Sequence, residues 1–165
     1  TLTVYDFFTD LNRPLQGATA ERGAWLSDGT GLIVSSIDPE RPERAPTLAR
    51  VPFPEGAPTR LTTDEAADLS PALSPDGTQI AFVRQERGSA RSAIWVIGVE
   101  GGAAQPVSSG EGQDTQPRWS PDGTQIALVR SNLSGEFQSD VIVVDLATGA
   151  EATALSDVAQ AVWAP

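Results

Sequence analysis

The 165-residue chain contains no cysteine, no histidine, no lysine and no methionine. Without cysteine and histidine it can form no disulfide, present no thiolate nucleophile or imidazole base, and build none of the usual zinc sites that use those side chains. Without lysine, Schiff-base chemistry and Ser-Lys dyads are excluded. Only carboxylates, hydroxyls and the main chain remain as catalytic groups. Hydroxyl-rich stretches such as Ser108-Ser109-Gly110 then have no base to activate them.

Positive charge is also scarce. All basic residues are arginine, and against 22 acidic residues they leave a formal net charge of -11. Affinity for phosphate backbones and anionic lipid rests on neutralisation by Lys and Arg, so nucleic acid is not an expected partner. No apolar run approaches the roughly 20 residues needed to cross a bilayer, and no signal-like segment opens the chain. Direct membrane insertion by this segment is not expected. A first residue Thr1 and the lack of methionine suggest a processed or excerpted polypeptide.

What the chain does have is 15 glycines, 13 prolines and an internal repeat. Pro71-Ala72-Leu73-Ser74-Pro75-Asp76-Gly77-Thr78-Gln79-Ile80-Ala81 recurs as Pro117-Arg118-Trp119-Ser120-Pro121-Asp122-Gly123-Thr124-Gln125-Ile126-Ala127. A weaker copy, Ala24-Trp25-Leu26-Ser27-Asp28-Gly29, lacks the proline, and Val162-Trp163-Ala164-Pro165 begins another. Positions 25, 73, 119 and 163 are spaced by 48, 46 and 44 residues. Blades of β-propellers repeat at about 40 to 50 residues, whereas helical solenoids have shorter periods and helical patterning.

Each repeat divides into four strands, A to D. Ser-Pro-Asp-Gly joins A to B, with Pro presetting φ and Gly supplying positive φ. Ile94-Trp95-Val96-Ile97 and Val141-Ile142-Val143-Val144 are near-continuous apolar runs, as expected for strands covered on both faces. The expected fold is all-β, a propeller of four-stranded antiparallel blades, present as an arc of about three and a half blades. In that division 1–20 supplies the last two strands of a preceding blade, 21–66, 67–112 and 113–157 are blades, and 158–165 is the first strand of a further blade. Such an arc leaves open edges, to be covered by further blades of a longer chain or of another chain.

The repeat closely resembles that of TolB-type, WD-repeat-like propellers. Proteins similar to it include periplasmic scaffolds of envelope complexes, extracellular sensor domains and the gating propellers of prolyl-oligopeptidase-like serine peptidases. The resemblance implies a non-catalytic scaffold that binds a protein or peptide within a larger extracytoplasmic assembly. Its alternatives are a peptidase gate whose catalytic domain lies elsewhere, or the ligand-sensing domain of a membrane receptor.

Candidate residues divide by position. Asp28-Gly29, Asp76-Gly77 and Asp122-Gly123 occupy one place in each repeat and are assigned to turns. Tryptophans 25, 119 and 163 share one blade position, which favours packing between blades over a ligand cage. Asp68 and Asp114 are placed on the connections from strand D to strand A. Arg84 and Arg130 end strand B, while Gln116 and Arg118 lie near the start of strand A. With Arg87 and Arg91 they form an arginine-rich set able to grip a carboxylate or peptide, or else to pair internally with Asp68 and Asp114. No metal site and no cofactor are expected, since calcium needs roughly six or more close oxygens and no loop has that pattern. The B-to-C connections 38–44, 84–91 and 130–137 share little sequence, and a partner is expected there.

Overall fold

The computed structural model describes residues 3–6, 11–14, 23–38, 40–133 and 138–157. Strands β1 (Thr3–Asp6) and β2 (Leu11–Pro14) form a two-stranded antiparallel sheet. Three four-stranded antiparallel sheets follow in an unclosed arc. The first holds β3 (Gly23–Trp25), β4 (Gly31–Ser36), β5 (Thr47–Pro52) and β6 (Thr59–Arg60). The second holds β7 (Ala66–Leu73), β8 (Gln79–Glu86), β9 (Ala93–Gly98) and β10 (Gly101–Pro106). The third holds β11 (Gln113–Trp119), β12 (Gln125–Ser131), β13 (Ser139–Asp145) and β14 (Glu151–Ser156). Among the described residues there is no helix.

Strand order equals chain order in every sheet, so each is a blade built from three consecutive hairpins. Among the first strands β7 contacts both β3 and β11, and the three form the inner edge of the arc. Successive side chains of a strand point to opposite faces, and the middle blade uses both. Ile80 and Phe82 of β8 and Ile97 of β9 join Leu26, Ile33 and Leu48 of the first blade in one core. Ala81 and Val83 of β8 with Ile94 and Val96 of β9 join Trp119, Ile126, Leu128, Ile142 and Val144 of the third blade in another. That two-sided burial is why the strands read as continuous apolar runs.

The repeated turns have the geometry their residues dictate. Gly77 and Gly123 sit at φ +74° and +73°, where an L side chain is disfavoured, and Gly29 does the same at +71°. The Ser74 hydroxyl donates to Asp76 Oδ1 at 2.6 Å and accepts from the Gln79 amide at 2.9 Å. Asp76 Oδ1 also accepts from the Thr78 amide and hydroxyl, both at 3.0 Å. Ser120, Asp122 and Thr124 repeat the pattern. In the first blade Leu26 replaces the serine and joins the inter-blade core instead. Neighbouring turns are adjacent in space: a Cβ on Gly123 would meet Pro75 Cδ at 3.7 Å.

Two expectations need correction. Asp68 and Asp114 lie inside β7 and β11, not on the connections before them. Trp25 is not a core residue among the described residues: it is 46% exposed and meets Phe53 edge-on, with ring centroids 5.4 Å apart. Trp119, by contrast, is 8% exposed and donates its indole N–H to the Ala72 carbonyl at 3.0 Å. A tryptophan at this position therefore packs backward onto the first strand of the preceding blade. β7 provides that strand for Trp119, and no described strand provides it for Trp25. Trp163 and the expected strand 158–165 fall outside the described residues, as do residues 134–137 of the third loop.

The turn geometry predicts how Gly123 responds to substitution. Space exists there for a Cβ, so Gly123→Ala should cost only the left-handed backbone strain, about 1–2 kcal/mol. Gly123→Asn should be milder than alanine, because asparagine tolerates that conformation. Denaturant unfolding of both variants checks the order.

Candidate functional site

Strands β7 and β8 pair so that Asp68 faces Arg84, and β11 and β12 so that Asp114 faces Arg130. Asp68 and Asp114 have no exposed surface. Arg84 Nε and Nη2 donate to the two Asp68 oxygens at 2.7 and 2.8 Å. Arg130 does the same to Asp114 at 2.6 and 2.8 Å. Two parallel charge-assisted bonds match the guanidinium fork to the carboxylate, which is the arrangement able to offset the cost of removing both charges from water. Donation to the Asp68 carboxylate raises the pKa of Arg84, and donation to Asp114 raises that of Arg130.

The surroundings of the two pairs differ. Arg84 stands over the rings of Trp95 and Phe82, its guanidinium carbon 4.7 and 5.1 Å from their centroids. Arg130 instead takes a second carboxylate, with Nη1 donating to Glu151 Oε2 at 2.8 Å. Glu151 also accepts from the Ser109 amide at 2.6 Å and the Ser109 hydroxyl at 3.1 Å. Chiefly through Arg130, its pKa lies below the usual value. The Ser108 hydroxyl donates to Asp114 Oδ2 at 2.6 Å and accepts from the Ile94 amide at 2.8 Å. The Ser92 hydroxyl donates to the Asp114 carbonyl at 2.9 Å. This network fastens the connection leaving β10 to the third blade.

The predicted arginine-rich set is thus divided by the structure. Arg84 and Arg130 are held by Asp68 and Asp114 as braces between strands. Arg87 and Arg91 are exposed on the β8–β9 connection, and Arg87 Nη2 donates to the Asp64 carbonyl at 3.3 Å. Gln116 and Arg118 lie on β11 at the inner edge, where Gly23, Ser70, Pro71 and Pro117 complete a cavity of about 250 Å³. Asp28, Asp76 and Asp122 are turn residues bonded to Thr30, Thr78 and Thr124. Among the described residues no cluster of three or more His, Cys, Asp or Glu is placed to hold a metal ion.

Sequence reasoning missed Glu151, and it weighed Ser108 and Ser109 only as hydroxyls without a base, missing their part in bracing. Glu151 reaches Arg130 from two strands away in the sheet and has no marked position in the repeat, so neither spacing nor local pattern distinguishes it.

A family model described as the TolB beta propeller domain matches residues 18–164. This chain belongs to the TolB β-propeller family. No curated protein matches it. Among solved structures it is similar to a TolB-like protein of Agrobacterium tumefaciens, at 22% identity and a TM-score of 0.75, covering 88% of this chain and 52% of that one. It is similar to TolB from Acinetobacter baumannii at 18% identity and a TM-score of 0.70, covering 93% of this chain and 37% of the other. A puromycin-hydrolyzing peptidase of Mycobacterium tuberculosis shares the fold at 17% identity and a TM-score of 0.67, covering 91% of this chain and 23% of that one. The TolB-type arc therefore spans about half, or less, of these proteins.

The pair geometry in this propeller predicts that Asp68→Asn, which leaves Arg84 beside a neutral partner, destabilises by about 3 kcal/mol or more. Glu151→Gln, at the partly exposed end of the network, should cost under about 1 kcal/mol. Urea unfolding of both variants measures the difference.

Acid sensitivity follows from the turns. The Ser74 and Thr78 bonds hold the Asp76 carboxyl below 3.8, and those of Ser120 and Thr124 do the same for Asp122. A depressed folded pKa means the unfolded chain binds more protons near that pH, so stability is present above about pH 4 and falls as pH drops through the folded value. Asp76→Asn and Asp122→Asn should each flatten the loss of stability between pH 4 and pH 2.5, measured against the parent by denaturant unfolding at each pH.

Proposed function

We propose that this arc is part of a non-catalytic propeller that binds a protein or peptide on the face carrying its B-to-C connections. The observation that carries this reading is the engagement of the repeated polar residues in bracing the fold. Asp68, Asp114, Arg84 and Arg130 hold strands together, while Asp76 and Asp122 close turns. The repeat thereby supplies a rigid frame and leaves the connections free to vary, as recognition surfaces on repeated scaffolds do.

Strand polarity supports the choice of face. The A-to-B turns stand side by side on one rim, so the described residues 37–38, 40–46, 87–92 and 132–133 between strands B and C emerge on the opposite rim. The family resemblance to periplasmic scaffolds supports an extracytoplasmic setting and assembly with further blades. A peptidase gate is the second reading, supported by the propeller fold shared with the puromycin-hydrolyzing peptidase.

Photo-crosslinking in the native cell tests the face. A crosslinker at Arg91, on the B-to-C rim, should capture a discrete macromolecular partner, and one at Thr124, on the turn rim, should not. Capture from Thr124 alone, or from neither position, would overturn the reading. Adducts confined to a peptidase domain of the parent chain would establish the second.

A further inference from the structure

The connection of residues 87–92, between β8 and β9, is held in one shape by polar groups in and beside it. The Ser89 amide donates to the Glu86 carbonyl at 3.1 Å, and the Gln85 side chain donates to the Ser89 carbonyl at 2.8 Å. The Ser89 hydroxyl accepts from the Arg91 amide at 3.0 Å. Ser92 then clamps the connection to the next blade. Its amide donates to the Gly112 carbonyl at 3.1 Å, its carbonyl accepts from the Asp114 amide at 3.2 Å, and its hydroxyl donates to the Asp114 carbonyl at 2.9 Å. A loop fixed in this way on a rigid frame presents its remaining side chains in set positions.

One polar side chain takes no part in holding that shape. Arg87 donates to the Asp64 carbonyl, and the hydroxyls of Ser89 and Ser92 are bonded as described. Arg91 is exposed, and among the described residues its guanidinium makes no hydrogen bond and no ion pair. Arg44, Arg50, Arg84 and Arg130 each have a carboxylate within salt-bridge distance. Arg91 has none, so its charge is left for something outside the frame.

The clamp also sets what stands beside Arg91. Ser92 bridges to Gln113, and Gln113 pairs with Ser131. Neighbouring strands lie about 4.8 Å apart, which puts Ser92 and Ser131 about 10 Å from each other at one level of the rim. Arg91 precedes Ser92 and Leu133 follows Ser131, so both stand outward from that level, and Leu133 is 44% exposed. A cation and an apolar side chain thus share one ledge spanning the second and third blades.

Resting on the reading that the B-to-C rim is the binding face, we infer that this ledge takes an extended segment of a partner protein bearing one carboxylate and an apolar side chain about three residues apart. The Arg91 guanidinium holds the carboxylate and Leu133 meets the apolar group. An extended chain rises about 3.3 Å per residue, so three residues span two strand spacings. The planar fork of arginine matches the two carboxylate oxygens. Exposed Glu111 on the neighbouring connection and the net charge of -11 oppose an acidic run or a polyphosphate, which leaves an isolated carboxylate as the fitting charge.

The full-length protein in its native cell tests this with a photo-crosslinker at Ala90, an exposed neighbour of Arg91. That position keeps the guanidinium which a crosslinker at Arg91 replaces, so it should capture the same protein in higher yield. Adducts mapped by mass spectrometry should lie within about three residues of an aspartate or glutamate. Arg91→Glu should lower the yield about tenfold or more, the loss of a charge-assisted fork. Leu133→Ser should lower it less, Glu111→Gln should raise it, and Gln105→Glu, on the outer strand β10, should leave it unchanged. Because Arg91 makes no side-chain bond in the fold, Arg91→Glu should unfold at the urea concentration of the parent, which separates lost recognition from lost structure. Undiminished capture in Arg91→Glu, or protein adducts remote from any carboxylate, would overturn the ledge and leave the B-to-C rim as the binding face. No capture from Ala90, or adducts on lipid or nucleic acid, would overturn both.

Discussion

Each blade is apolar on both faces, and the rest of the structure follows from that constraint. A strand such as β8 sends Ile80 and Phe82 one way and Ala81 and Val83 the other, so one blade cannot cover its own core. Burying a large apolar side chain contributes roughly 1.5–3 kcal/mol, and for these residues the contribution exists only when a second blade is present. Stability is consequently a property of neighbouring blades, as in other repeat architectures. The exposed Trp25 and the buried Trp119 are one sequence position with and without that neighbour.

Polar contacts add direction to a packing that hydrophobicity alone would leave loosely specified. The Asp–Arg pairs join the first two strands of a blade at a defined register, since a slip would bury a carboxylate opposite the wrong residue. The Ser108–Asp114–Arg130–Glu151–Ser109 network then ties the outgoing connection of one blade to the next. Serine and threonine serve where an ionised group would be harder to satisfy. Thr62 accepts from the Leu48 amide in the first interface as Ser108 accepts from Ile94 in the second. An acidic, lysine-free chain can thus brace its interior with two arginines.

The fold was legible because its signals are local and repeated. Asp-Gly turns, two-faced apolar strands and a blade-length period all lie within short windows of sequence. Strand ends were less legible: Asp68 looks like a connection residue because the strand pattern is read from Leu69, yet pairing with Arg84 extends β7 back to Ala66. Burial of Trp25 was misread for a different reason, since sequence position reports the role of a residue in a complete repeat and not which neighbour is at hand. The sorting of the arginines was visible only in part, because Arg84 and Arg118 look alike until cross-strand register places a buried carboxylate opposite one and a bulged inner wall beside the other.

In a repeat protein, agreement between copies and departure from agreement carry different information. A residue held at the same position in successive blades, such as Asp76 and Asp122, is accounted for once its bonds in the turn are seen. A residue that departs from an otherwise adequate small side chain, as Arg118 departs from Ala24 and Ala72, lies outside what the copies share. Its exposure gives it little part in packing, because an exposed side chain contributes little to a core. The departures, and not the motif by which the family is recognised, are therefore where the chemistry particular to this propeller is to be sought.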